Sequence, residues 1–155
     1  MIENISPWVY LAGITLLPGI ELRGSIPVGV SWGMNPVTLC IVLSIVNALI
    51  VLPVFKFLDW FFHLIEKIPL ADKYIKKTRK KAGPYVEKYG MIGLALFVAA
   101  PLPATGAYTG ALAAHLFGMK NKKAFLSISA GVFIAGIIVT LIATAFKATL
   151  GWLLG

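Results

Sequence analysis

The sequence predicts an all-α integral membrane protein with a single membrane domain, and three observations support this prediction. First, 59% of the 155 residues are hydrophobic and the mean hydropathy is +0.88, which is more apolar surface than a soluble domain of this size could bury. Second, two apolar runs, residues 36–58 and 124–146, are each long enough to cross a bilayer. Third, eight of the 14 Lys and Arg lie between residues 59 and 90, and three more lie at 120–123. Such clusters beside apolar segments are typical of a cytoplasmic membrane face, so the net charge of +8 does not indicate a nucleic-acid partner.

Residues 7–34 are apolar but carry helix breakers and two charges, so they cannot form one continuous spanning helix. Each arm of this stretch has roughly 10–13 apolar residues and reaches only about 15–20 Å, which is too short to cross. We therefore predict a re-entrant helical hairpin that enters from the outside. The alternative is a full span at residues 8–20 with the N-terminus inside. The breakers and charges are Pro7, Pro18, Pro27, Glu21 and Arg23, together with five glycines.

Residues 36–58 form the first predicted transmembrane helix and complete the first repeat, residues 1–58. These 23 residues would make about 34 Å of helix, and the hydrocarbon core is about 30 Å thick. Asn35 can cap the helix, and Pro53 should kink it near its end.

Residues 59–90 are predicted to be a basic, amphipathic cytoplasmic loop. Residues 70–82 have the pattern of a short surface helix, which Gly83-Pro84 should end. We expect a solvated segment that sets the membrane topology, with binding of anionic lipid headgroups as the alternative.

Residues 91–119 are a second broken stretch, interrupted by Pro101 and Pro103. Basic residues flank the stretch on both sides, so it should enter and leave on the cytoplasmic face. Two full crossings would need about 40 residues, and only 29 are present. A second re-entrant hairpin therefore fits the length and the charges.

The second predicted transmembrane helix, residues 124–146, completes a second repeat over residues 91–155. The chain thus reads as two copies of a hairpin followed by a transmembrane helix. An odd number of crossings between the copies makes the repeat inverted, and broken helices that meet at mid-membrane are typical of transporters. A stripe of small residues in the second transmembrane helix would let another helix approach closely; it consists of Ser127, Gly131 and Ala135. A shift of 85 residues places Pro18 on Pro103 and Trp32-Gly33-Met34 on Phe117-Gly118-Met119.

Glu21 and Arg23 are the strongest candidates for functional side chains. A charge inside a bilayer is costly, so it normally faces a cavity or a partner. Glu21 could take up a proton or bind a cation. Arg23 could hold that carboxylate or bind an anionic substrate group. A purely structural ion pair is the alternative.

Further candidates would complete the site if the two hairpin tips meet at mid-membrane. The first tip should be unwound and offer free backbone groups, and the second should add hydroxyl groups. The candidate substrate or ion ligands are Glu21, Arg23, Gly24, Ser25, Pro27, Thr105, Tyr108 and Thr109. The residues expected to shape the tips are Pro18, Gly29, Pro101, Pro103, Gly106 and Gly110, of which the last two also have the G-x-x-x-G spacing of helix packing.

The sequence contains no motif of a known enzyme class, so we predict a protein that is not an enzyme. No cofactor is expected, and no His or Cys spacing indicates a metal site. His115 is expected to be a packing residue, and Asn47 should form a hydrogen bond with another helix.

Two stretches of the chain resemble the small multi-drug export proteins. They are Glu21-Leu-Arg-Gly-Ser-Ile-Pro-Val-Gly29 and Tyr89-Gly-Met-Ile-Gly-Leu-Ala-Leu-Phe-Val-Ala-Ala-Pro-Leu-Pro-Ala-Thr-Gly-Ala-Tyr-Thr-Gly110. That family is distantly similar to the DedA membrane proteins. The resemblance implies re-entrant hairpins combined with transmembrane helices, and either proton-dependent transport or flipping of a lipid carrier.

The leading functional hypothesis is a secondary transporter of the plasma membrane that exports small molecules with ion coupling. A DedA-like lipid flippase or scramblase is the first alternative, and a non-transport membrane scaffold is the second. Four apolar segments are few to enclose a pathway, so we expect a homodimer or a larger assembly. The expected partners are membrane lipids, a second copy of the chain and a small-molecule or lipid substrate.

Overall fold

The computed structural model describes residues 6–65, 67–102, 105–119 and 121–154, and every regular element within these ranges is an α-helix. The predicted all-α fold is therefore confirmed. Pro103 and Lys120 lie outside the described residues. The helices are α1 (Pro7–Leu16), α2 (Glu21–Ser31), α3 (Pro36–Leu49), α4 (Val51–Ile65), α5 (Pro69–Ala99), α6 (Ala107–Leu116) and α7 (Asn121–Leu154).

Within the ranges that the structure describes, two helical stretches are long and apolar enough to cross a membrane. They are Pro36–Phe62, formed by α3 and α4, and Lys122–Trp152 within α7, so each predicted run lies inside an observed one. Only 39% of the apolar segment in each stretch is buried. The core helix of a soluble protein would instead be mostly buried. Large apolar side chains therefore face outward, for example Ile41 at 50% and Leu141 at 64% exposure. Lipid is the solvent that suits such a surface.

The first of these stretches is interrupted at Ile50, between α3 and α4. Pro53 causes this interruption, because it cannot donate a hydrogen bond to the carbonyl four residues earlier and its ring crowds that carbonyl. The N-terminus of α3 is capped as predicted. The Asn35 side chain accepts hydrogen bonds from the N–H groups of Val37 at 2.9 Å and Thr38 at 3.1 Å.

A sharp bend at Gly90, with φ of 55° and ψ of −123°, divides α5 into two arms. We call residues 69–89 the basic arm and residues 91–99 the apolar arm. The prediction that Gly83-Pro84 ends the helix is wrong, since α5 continues through that proline. The proline removes only one hydrogen bond, and the carbonyl left free belongs to the exposed Lys80, where water can bond to it. Gly90 adopts the positive φ that redirects the chain.

The short helices pair into two helical hairpins. In the first, α1 packs against α2, and in the second, the apolar arm of α5 packs against α6. The arms contain nine to eleven residues and are therefore about 14–17 Å long, too short to cross a bilayer. Because α1 ends at Leu16 after ten residues, it is also too short for the alternative full span at residues 8–20.

The C-terminal ends of α2 and α6 are closed by the same set of backbone hydrogen bonds, 85 residues apart. Each end contains a glycine with positive φ, Gly33 at 82° and Gly118 at 63°, as in a Schellman-type cap. The agreement shows that the two stretches share a local conformation as well as residue types. The donor and acceptor pairs are Trp32 to Val28, Gly33 to Val30 and Met34 to Gly29 in the first copy, and Phe117 to Ala113, Gly118 to His115 and Met119 to Ala114 in the second.

The helix α7 is the centre of the bundle, since α2, α3 and α5 all pack against it. The predicted stripe of small residues makes the contact with the apolar arm. A Cβ atom at Gly131 would lie 2.5 Å from the carbonyl oxygen of Ala95, and the Ser127 hydroxyl donates to the carbonyl of Met91. Close packing between helices in a membrane depends on such small residues.

Candidate functional site

The turns of the two helical hairpins meet at Glu21 and Gly106. Glu21 is the first residue of α2 and is only 3% exposed. A Cβ atom at Gly106 would lie 1.9 Å from Oε2 of Glu21, so only glycine leaves room for the carboxylate. Glu21 itself has a φ of +52°, a left-handed conformation that is uncommon for residues other than glycine and is often found at functional sites.

The Glu21 carboxylate caps the N-terminus of α6. Its Oε2 accepts hydrogen bonds from the N–H of Ala107 at 2.9 Å and from Nδ2 of Asn47 at 3.3 Å, and Oε1 accepts one from the N–H of Tyr108 at 3.4 Å. The first N–H groups of a helix have no partner within the helix and carry partial positive charge. An anion is therefore stabilised at this position.

The Arg23 guanidinium caps the other side of the same turn, at the C-terminus of α5. Its Nη2 lies 3.1 Å from the carbonyl oxygen of Val98, 2.8 Å from that of Ala100 and 2.9 Å from that of Thr105. The last carbonyl groups of a helix lack intrahelical partners and carry partial negative charge. The two N–H groups of Nη2 are shared among these three carbonyls, of which that of Thr105 belongs to the turn after α5.

The two charges of the first hairpin thus bind opposite helix ends in the second hairpin. Their direct contact is weaker, with Nη1 of Arg23 at 3.5 Å from Oε2 of Glu21. The alternative of a simple structural ion pair describes only part of this arrangement. Because the partners are mostly backbone groups of the turn, loss of either charge would leave buried polar groups unpaired.

The predicted hydroxyl ligands lie near this turn, but most of them bond to the backbone. Thr105 donates to the carbonyl of Ala100 at 2.7 Å, and Thr109 donates to that of Gly106 at 3.2 Å. Ser25 donates to the carbonyl of Glu21 at 3.3 Å. A role of these hydroxyls in ligand binding stays a prediction.

Gly24, Pro27 and Gly29 do not form an unwound tip, because all three lie inside helix α2. The first turn is instead made by residues 17–20, which include Pro18, and Gly19 adopts the φ of +92° that the turn needs. Gly29 serves packing, since a Cβ atom there would lie 2.6 Å from a methyl group of Leu39.

Gly110 is likewise not a tip residue, because it lies inside α6. A Cβ atom at Gly110 would lie 2.5 Å from a methyl group of Val98, so this glycine allows the arms of the second hairpin to pack closely. Pro101 and Gly106 do lie in the turn between the apolar arm and α6, as predicted.

Asn47 and Tyr74 also belong to the site, although neither was among the predicted ligands. Asn47 is fully buried, and its Oδ1 has no hydrogen-bond partner among the described residues. Its signal in the sequence was the single side-chain amide within an apolar run. Tyr74 lies on the basic arm of α5, which the sequence indicated to be a solvated segment.

Tyr74 and Tyr108 lie between the Glu21 and Arg23 side chains and a larger apolar cavity. Both tyrosines line a small pocket that also includes Glu21 and Arg23. Tyr74 is 43% exposed, and its partial burial together with the negative charge of Glu21 raises its pKa. The neighbouring cavity has a volume of about 590 Å³. Apart from the two tyrosines its walls are aliphatic or aromatic; they are formed by Pro18, Ile50, Pro53, Val54, Phe57, Leu58, Ala71, Tyr74, Ile75, Tyr108 and Leu112.

His115 lies near the other end of α6, where its Nδ1 is 3.4 Å from Oδ1 of Asp59. Its ring also packs against that of Phe62, with 4.5 Å between the ring centres. These contacts agree with the expected packing role. Among the residues that the structure describes, no group of three or more His, Cys, Asp or Glu side chains could hold a metal ion.

Comparison with known proteins identifies the family. Residues 21–138 match the family model described as "Putative small multi-drug export protein", a range that includes Glu21, Arg23 and the whole second hairpin. No curated protein and no solved structure matches the chain. The matched range covers most of the 155 residues, and the chain therefore belongs to the small multi-drug export protein family.

Proposed function

We propose that this membrane protein is a secondary transporter that exports small molecules and couples their movement to protons at Glu21. The observation that carries the proposal is the docking of one buried carboxylate onto the backbone amides of the opposite hairpin. A contact of this kind depends directly on the protonation state of the carboxylate.

The coupling step follows from the chemistry of the contact. The ionised Glu21 accepts hydrogen bonds from Ala107, Tyr108 and Asn47, and its charge is stabilised by the end of α6. A protonated carboxyl group keeps only weak acceptors and loses the attraction to the helix end. Proton binding would therefore loosen the two hairpin tips from each other, and proton release would lock them together.

The apolar cavity beside the turn is the proposed substrate site. Its volume of about 590 Å³ lies within the usual range for sites that bind small molecules, which are mostly apolar with a few polar groups. Tyr74 and Tyr108 line both this cavity and the pocket around Glu21. A movement of the tips would therefore change one wall of the cavity.

The proposed membrane arrangement is an inverted pair of re-entrant hairpins in the plasma membrane. In this arrangement residues 59–90 and 120–123 are cytoplasmic, because they carry eleven of the 14 Lys and Arg. The hairpin at residues 7–34 enters from the outside and that at 91–119 from the inside. Contact of the two turns at Glu21 and Gly106 agrees with tips that meet within the bilayer.

The working unit is proposed to be a homodimer. Two long apolar helical stretches and two short hairpins are too few elements to surround a pathway for a solute, so a second copy of the chain would complete it. The outward apolar side chains of α3 and α7, such as Ile41 and Leu141, offer surface for a second copy as well as for lipid.

Transport in proteoliposomes tests this proposal. The purified protein would be reconstituted with an imposed pH gradient, and uptake of ethidium, a lipophilic aromatic cation, would be followed by fluorescence. We expect gradient-dependent dye movement in the wild type and loss of this dependence in Glu21→Gln. The matched control Glu87→Gln changes an exposed carboxylate on the basic arm and should leave transport unchanged.

Three outcomes would contradict the proposal. Gradient-dependent flux that survives in Glu21→Gln would remove Glu21 from the coupling step. Movement of labelled lipid without dye flux would favour the flippase alternative. No movement of dye or lipid in folded, reconstituted preparations would favour the scaffold.

A further inference from the structure

The basic arm of α5 has one strongly positive face. Lys73, Lys76, Lys77 and Lys80 are all exposed, and their spacing of i, i+3, i+4 and i+7 places them on the same side of the helix. Lys76 forms a salt bridge of 2.7 Å with Asp72. Among the described residues, no acidic side chain pairs with the other three lysines. The face therefore carries uncompensated positive charge.

The opposite face of the same arm packs against the protein. Thr78 and Ala82 are buried, at 3% and 0% exposure, and Ala71 and Ile75 are half-buried. These four positions also follow a helical spacing, four, three and four residues apart. The arm is thus fixed to the bundle through its inner side, and the lysine face points away from the protein.

Exposed apolar side chains precede and begin the basic arm. Trp60 is 76% exposed, Ile68 is 53% exposed and Leu70 is 80% exposed. A soluble, acidic protein partner would not require them. A helix with a lysine face and such apolar neighbours is typical of segments that lie at a membrane surface, where the apolar groups insert and the lysines reach anionic headgroups.

We propose that the lysine face, formed by Lys73, Lys76, Lys77 and Lys80, is a docking surface for the headgroups of anionic phospholipids. The membrane character of the chain brings these lysines within reach of headgroups, and the charge complementarity selects anionic ones. This site is separate from Glu21 and does not depend on whether the protein transports a solute.

Lipid titration of the full-length protein in detergent tests the proposal. Phosphatidylglycerol or phosphatidylcholine is added, and the lipids that stay bound are counted by native mass spectrometry. The test variant is Lys73→Gln together with Lys77→Gln. The matched control is Lys122→Gln together with Lys123→Gln, which removes two exposed lysines at the start of α7. All four positions are exposed, so neither pair should alter the fold.

We expect the wild type to bind phosphatidylglycerol more tightly than phosphatidylcholine. Each lysine near an anionic surface contributes about a fivefold preference, so the test pair should weaken binding of phosphatidylglycerol by roughly 5- to 25-fold. Its binding of phosphatidylcholine should not change. Lys122 and Lys123 belong to the same proposed cytoplasmic side but lie outside the lysine face, so the control pair should weaken binding of phosphatidylglycerol less than the test pair does. Equal affinity of the wild type for both lipids, or an equal loss in both pairs, would overturn the proposal. A soluble acidic partner would then be the remaining candidate for this face.

Discussion

Replacing Gly106 with alanine tests whether the contact between the two turns stabilises the protein. A Cβ atom at this position would lie 1.9 Å from Oε2 of Glu21 and 2.3 Å from its Cδ, so the carboxylate has to move. The φ of Gly106 is −100°, which alanine adopts without strain. The effect of Gly106→Ala should therefore come from displacement of the carboxylate.

The size of the effect follows from the contacts that Glu21 would lose. They include the N–H groups of Ala107 and Tyr108 and the neighbouring Arg23. A buried charge that loses its partner costs about 3–5 kcal/mol. Each kcal/mol lowers the melting temperature of a chain of this size by about 2–4 °C, so we expect a decrease of about 6–20 °C.

Thermal unfolding in detergent, followed by tryptophan fluorescence, measures this decrease. Gly13→Ala is the matched control, because a Cβ atom at Gly13 would have no neighbour within 4 Å and alanine favours the helix. The double variant with Glu21→Ala separates the contributions. Without the carboxylate, Gly106→Ala should cost less than about 1 kcal/mol. An equal cost in both backgrounds would refute the reasoning, because the clash would then not involve Glu21.

Three further predictions concern Arg23, Tyr74 and the membrane topology. Arg23→Lys should destabilise the protein by about 2–3 kcal/mol in the same unfolding assay. The lysine side chain is one bond shorter, so its nitrogen would fall short of the position of Nη2 near the carbonyls of Val98, Ala100 and Thr105, and it has no second nitrogen for Glu21. The exposed Arg79→Lys should have almost no effect. The raised pKa of Tyr74 keeps its phenol protonated in the folded state at a pH where the unfolded state ionises, near 10. The contribution of this group to the free energy of unfolding should therefore be constant below about pH 10 and decrease above it. The decrease should be smaller in Tyr74→Phe. Identical pH profiles of the wild type and Tyr74→Phe would argue against partial burial of this phenol in the folded state. Single cysteines would be introduced at positions 35, 90 and 122 in a Cys40→Ala background and reacted with a membrane-impermeant thiol reagent. Position 35 should react from the outside, and positions 90 and 122 should react from the inside. Labelling of 90 and 122 from opposite sides would exclude a re-entrant second hairpin.

Most of the fold follows from local patterns. Long apolar runs, breaks at Pro18 and Pro101, and the Asn35 cap each depend on neighbouring residues, and all of them occur in the structure. The wrong predictions concern glycine and proline residues, because these residues can either interrupt a helix or remain within it. Gly83-Pro84 had the pattern of a helix end, but the positive φ that redirects the chain occurs at Gly90. Gly24, Pro27 and Gly29 had the composition of an unwound tip, but tertiary packing keeps them helical.

The sequence by itself determined that this is an all-α membrane protein and that Glu21 and Arg23 are its exceptional charges. Hydrophobicity, charge clusters and Gly/Pro breaks are properties of short stretches, so they can be identified without the fold. Only the tertiary structure decided what the two charges contact. Their partners are backbone N–H and carbonyl groups some 75 to 87 residues away along the chain, and such groups occur in almost every residue and leave no mark in a sequence. The same holds for Tyr74, which reaches the pocket around Glu21 only because the basic arm packs against the bundle.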